Sequence, residues 1–222
     1  MKLIPVGADV ANVDPDSKHS GCGVALPTSV APRYPKGLEA RVEIRGGRTL
    51  TLRPIRSDDE EKLLAFHAHL SADSIYRRYF SFHPDLAHDE VHHLTHVDYD
   101  SRLALVIEDG DDIVGVARYE RRHDIAEAEV AFVIRDDYQH LGLGHRLFAS
   151  LAVAARSRGV TTFTAETLCR NHDMISVFGH SGFPVTSSIS AGEISVRISI
   201  DVLGNVVPSR PSHTTFRVHP WS

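Results

Sequence analysis

A chain of 222 residues, 42% hydrophobic and 24% charged, has ordinary globular composition and enough length for one sizeable core plus extensions. Its net charge of −5 argues against a dedicated nucleic-acid binder, and two cysteines, Cys22 and Cys169, make no disulfide framework. No run approaches the ~20 apolar residues of a membrane span, and MKLIPVGADV lacks a signal peptide's apolar core, so the cytoplasm is expected, without a membrane partner.

Residues 1–40 hold Pro5, Pro15, Pro27, Pro32 and Pro35 among scattered Gly, Ser and Asp, and read as an extended arm. Its Val24, Leu26 and Tyr34 could drape over the domain or over a partner subunit in a homodimer. The domain itself is expected over 41–204. Alternation on both sides of Gly46-Gly47 signals a hairpin. Ser57-Asp58-Asp59-Glu60 has capping-box spacing, with Ser57 as N-cap and Glu60 as its reciprocal partner. A helix follows with Leu63, Leu64, Phe66 and Leu70 inward. Another begins near Ser71 and sets Arg77 and Arg78 among Tyr76, Tyr79 and Phe80, either as a substrate-facing wall or as two solvated arginines. A third helix, near 86–97, carries His88, His92 and His96 at i, i+4, i+8. Such spacing can hold zinc. Without the H-E-x-x-H pattern, a solvated histidine face is expected and no metal.

Strands are expected at 102–108, 113–120 and 126–135, the first two joined by Asp109-Gly110-Asp111-Asp112. The last one runs into Gln139-x-x-Gly142-x-Gly144, and a helix over 141–158 follows, with Leu143, Leu147, Leu151 and Ala155 on one stripe and Gly159 past its end. A glycine turn at a helix start aims unpaired N–H groups at one point, a site for phosphate or diphosphate. The same spacing also fits a helix packed closely on a strand. A Walker loop is excluded because His145 and Arg146, not Lys and Ser/Thr, follow the second glycine. Beyond it come a strand at 160–168, which can lie parallel to 126–135, a helix capped by Asn171, and a hairpin at 184–202 around Ala191-Gly192. Residues 205–222 read as an irregular tail.

The Q-x-x-G-x-G of Gln139, Gly142 and Gly144 resembles the acetyl-CoA signature of the GNAT superfamily of N-acetyltransferases. The order of elements over about 50–202 is similar as well. The phrases SADSIYRRYFS (71–81), HVDYDSRLALV (96–106) and AEVAFVIRDDYQHLGLG (128–144) look like the bacterial Pat-type protein lysine acetyltransferases. The resemblance implies an α+β fold: a mostly antiparallel twisted sheet flanked by helices, whose two parallel strands splay to form an acetyl-CoA cleft. It implies acetyl-CoA as cosubstrate without a metal, its pantetheine along Phe132, Val133 and Ile134. The diphosphate is then expected on Gln139, His140, Leu141, Gly142, Leu143, Gly144 and His145, with Asn171 and Phe178 also among the coenzyme-binding residues.

The reaction implied is acyl transfer to an amine, here an acceptor lysine of a protein substrate such as an acyl-CoA synthetase. A lysine of pKa about 10.4 is ~0.1% or less neutral at pH 7, so a base or desolvation must free it. Glu127 and Glu129 share one side of a strand, and Glu129 sits at the Ala-Glu-Val position where Pat-type enzymes place their base. Glu129 is the expected base, with Glu127 as the alternative; both could instead be solvent-facing carboxylates. Where many members carry a leaving-group tyrosine, this chain has Phe178. A small amine as acceptor, or an acyl-CoA sensor without turnover, are the competing functions.

Overall fold

The computed structural model describes residues 32–44, 46–81, 85–121 and 126–201; the rest of the arm, with Val24 and Leu26, and the tail lie outside them. Strands β1 (Ala40–Glu43) and β2 (Thr49–Pro54) form the expected hairpin, and Gly46 and Gly47 turn it at φ 96° and 78°. Three helices follow: α1 (Glu60–Ala68), α2 (Ala72–Tyr79) and α3 (His88–Thr95). Then come β3 (Arg102–Asp109), β4 (Asp112–Arg121), β5 (Glu127–Ile134) and α4 (Leu143–Arg156). The chain continues through β6 (Thr162–Leu168), α5 (His172–Gly179), β7 (Val185–Ser190) and β8 (Glu193–Ser199). The strands make an eight-stranded sheet in the order β1-β2-β3-β4-β5-β6-β8-β7. Every pair is antiparallel except β5–β6, where the chain crosses over through α4 and re-enters the sheet in the same direction.

Period-two alternation sends each strand's apolar residues to two cores. Leu103, Leu105, Ala117, Tyr119, Val130 and Phe132 face α4 and α5, where the stripe Leu143, Leu147, Leu151 and Ala155 lands as expected. Ala104, Val106, Ile113 and Val116 face the opposite way, beneath Leu63 and Phe66 of α1 and Val91 and Leu94 of α3. Gly115 of β4 admits a close approach. A Cβ there would stand 2.9 Å from Ile134 Cδ1 and 3.4 Å from Leu147 Cδ1. Gly115→Val is therefore expected to lower stability by about 1–3 kcal/mol, read by denaturant unfolding.

The start of α1 differs from expectation. Ser57–Asp59 is a 3-10 turn, and Asp59 rather than Glu60 closes the box, its carboxylate accepting from the Arg56 N–H at 2.7 Å. The reason lies beneath the turn. Arg53, 4% exposed, donates to Asp59 at 2.7 Å twice and to Glu108 at 2.8 and 2.5 Å, so Asp59 is drawn inward. Glu60 is left to face α3.

Candidate active site

Strands β5 and β6 pair for three steps, Glu127 with Thr162, Ala128 with Phe163 and Glu129 with Thr164. Beyond these they part. The gap is a cleft of about 370 Å³, walled by Val130–Ile134 on one side and by Ala165, Glu166 and Thr167 on the other. Its α4/α5 side is closed by Met174, Val177 and Phe178. Phe178 is 2% exposed and meets Phe132 and Phe148 edge-on, at 6.2 and 6.1 Å between ring centroids. It thus forms part of the aromatic core and offers the cleft no hydroxyl.

The mouth of the cleft is the turn into α4. Asp136 accepts from Ser71 N and Oγ at 2.9 and 2.7 Å and from Ser74 Oγ at 2.9 Å, tying the turn to α2. Burial pushes the Asp136 carboxyl up, but these hydrogen bonds outweigh it and hold the group below the ordinary aspartate value. The Gln139 amide donates to Ile134 O at 3.1 Å and to Ser74 Oγ at 3.2 Å, pinning the turn to the end of β5. Gly142 is the N-cap at φ 81° and gives α4 no side-chain cap. The first amides of the helix have no intrahelical partner and remain available to an anion. Gly144 serves packing: a Cβ there would stand 3.0 Å from Val177 Cγ2 of α5. The three signature residues therefore have three separate jobs.

Of the residues expected to hold a coenzyme, Phe132, Val133, Ile134, Gln139, His140, Gly142, Leu143, Gly144, His145, Asn171 and Phe178 line the cleft. Leu141 instead packs half-buried against the core. Asn171 caps α5, its side chain accepting from Met174 N at 3.3 Å. Glu127 pairs with Arg197 of β8. Glu129 is half-buried at the last paired step, opposite Glu120 of β4, one residue before the cleft wall begins. By strand parity it shares the face covered by α1 and α3. Arg77 reaches both Asp73 at 2.6 Å and Asp173 of α5 at 3.6 Å, and Arg170 lies over the Tyr76 ring at 4.9 Å, so α2 is linked to the far wall.

Sequence reasoning missed Ser74, Glu166, Thr167 and Asp173 as lining residues. Thr167 was legible as an inward strand residue, but its importance depends on where the β5–β6 pairing stops. Its Oγ1 is buried and has no hydrogen-bond partner among the described residues, in a residue 2% exposed. An orphaned hydroxyl in the wall of an open cleft fits a polar ligand there.

The acetyltransferase (GNAT) domain family matches residues 49–184. The crystal structure of the GNAT domain of S. lividans PAT is 35% identical at TM-score 0.71, covering 75% of this chain and 99% of that one. The acetyltransferase Pat of Mycolicibacterium smegmatis is 34% identical over 145 residues, 64% of this chain and 43% of that protein. The chain thus spans less than two thirds of the length of the curated relatives it matches. The yncA protein of Salmonella typhimurium, a putative acetyltransferase solved with its cofactor acetyl-CoA, shares the fold at 18% identity and TM-score 0.57, covering 72% of this chain and 98% of that one. Splayed parallel strands, an uncapped helix mouth and these matches lead to one assignment: the chain belongs to the GNAT acetyltransferase family.

Proposed function

We propose that the chain moves an acetyl group from acetyl-CoA to a lysine side-chain amine of a protein, by direct transfer with Glu129 as base. The observation that carries this is the cleft's course. It runs from the uncapped α4 amides along the five residues of β5 that do not pair with β6, about 13 Å at ~3.3 Å per residue, and ends beside Glu129. The amides of Gly142–His145 suit a diphosphate. The free edge of β5 offers backbone donors and acceptors to an amide-bearing arm.

Glu129 takes the acceptor's proton, directly or through one water, on the sheet face away from α4. The acceptor enters from the α1–α2 side, while the coenzyme enters at the α4 mouth. With Phe178 in place of a hydroxyl donor, a thiolate of pKa about 8.5 can leave without an acid. The Thr167 hydroxyl is then a hydrogen-bond donor to the bound arm. Thr167→Val is expected to lower kcat/KM for acetyl-CoA about 5–10-fold while leaving thermal stability equal or slightly higher, because that hydroxyl has no hydrogen-bond partner among the described residues to lose. Unchanged kinetics would remove Thr167 from the site.

The activity itself is tested with labelled acetyl-CoA and candidate proteins, acyl-CoA synthetases among them, read by mass spectrometry. Acetyl-lysine on a protein is the expected product. Acetylation of small amines alone, or tight acetyl-CoA binding without turnover, contradicts the proposal.

A further inference from the structure

We propose that Glu60, His92 and His96 form a three-ligand site for a divalent transition metal of zinc type, on the outer surface of α1 and α3 and apart from the cleft. Each offers one donor atom, and these donors all lie within 4.8 Å of one another. His92 and His96 stand one turn apart at α3's C-terminal end, with rings stacked at 3.7 Å and 10°. Glu60, the first residue of α1, brings its Oε1 to 3.6 Å from His96 Nδ1.

The histidine spacing alone could be a solvated face. The structure changes the balance by dropping His88 from the cluster and supplying a carboxylate from a different helix. Two imidazoles and one carboxylate, open to water at the fourth position, are a donor set that zinc accepts. A tetrahedral site with bonds of about 2.0–2.1 Å sets donors about 3.3 Å apart. Closing this distance, about 1.5 Å at most, takes a turn of the exposed His92 and His96 rings and of the flexible Glu60 side chain, and His96 Nδ1 exchanges its contacts with His92 O and Thr95 Oγ1, both at 3.1 Å, for the ion. None of the three lines the cleft. The ion would join the start of α1 to the end of α3 and clamp the helix layer that covers Val106 and Val116.

The test is calorimetric titration of the untagged, chelator-stripped chain with zinc chloride, together with thermal melts. One equivalent is expected to bind at micromolar Kd or tighter, with a melting temperature about 5 °C or more higher at hundredfold excess over Kd. His92→Ala and Glu60→Gln should each weaken binding tenfold or more with unchanged circular dichroism. His88→Ala and His93→Ala should leave it unchanged. Kd above 100 μM in the wild type overturns the proposal, and so does wild-type affinity in His92→Ala, which would place the ion elsewhere.

Discussion

Glu129→Gln is expected to lower kcat/KM for the amine acceptor by about 10²–10⁴-fold, the contribution of a positioned general base. Glutamine keeps the size and hydrogen-bonding reach of glutamate but cannot take a proton at neutral pH. Acetyl-CoA affinity by calorimetry should change little, because Glu129 precedes the cleft wall rather than forming it. The acid limb of the pH–kcat/KM profile should disappear with it. Glu127 gives the internal comparison. It lies two residues earlier on the same side of β5 but is engaged by Arg197 at the surface, where solvent screening leaves an ion pair weak. Glu127→Gln is therefore expected within about fivefold of wild type. Equal losses in both variants would show that a carboxylate at 129 has no special role.

Arg53→Met should produce the largest loss of stability, about 3–5 kcal/mol, or about 6–20 °C in Tm for a chain of this size. The guanidinium is 4% exposed and is the main partner of two carboxylates, Asp59 and Glu108, at 3% and 9% exposure. Lys62 reaches Glu108 at 3.0 Å but gives Asp59 no hydrogen bond among the described residues. Removing Arg53 leaves buried charge without compensation. The sign of the pH dependence follows from the carboxyls. Burial alone pushes both up, yet the hydrogen bonds from Arg53 outweigh it and hold both below their ordinary values. A depressed folded-state pKa contributes stability that is present above the unfolded value near ~4 and is lost as pH falls through the folded-state value. The difference between wild type and Arg53→Met, read from denaturant unfolding, should narrow as pH drops from 7 towards 3. A constant difference would mean that the network contributes no linked protonation.

Much of this fold was legible because periodicity and turn chemistry agreed. The α4 stripe, the Gly46-Gly47 and Ala191-Gly192 turns and the Asn171 cap each follow from local residues whose conformational needs are unambiguous. The Ser57 box was misread for a tertiary reason: Arg53, six residues before Asp59, outcompetes the local pattern by drawing that carboxylate inward. The cleft was partly legible. Gln139, Gly142 and Gly144 mark it, but their spacing does not reveal that Gly144 answers to Val177 or that Gln139 bonds Ile134 O. Thr167 reads as an inward strand residue, but neither it nor Asp173 could be assigned to the cleft from spacing, since local periodicity does not show that the β5–β6 pairing stops at Glu129 or that α5 closes the gap. Likewise the meeting of Glu60 with His92 and His96 depends on how α1 and α3 cross.

The most direct test is a crystal structure of the chain soaked or grown with acetyl-CoA. The diphosphate should lie within hydrogen-bond distance of the Gly142–His145 amides, with the pantetheine along 130–134, its amide near Thr167 Oγ1 and the thioester close to Glu129. Coenzyme bound outside the β5–β6 gap, or absent at concentrations that saturate its relatives, would contradict the assignment of this cleft as the site of transfer.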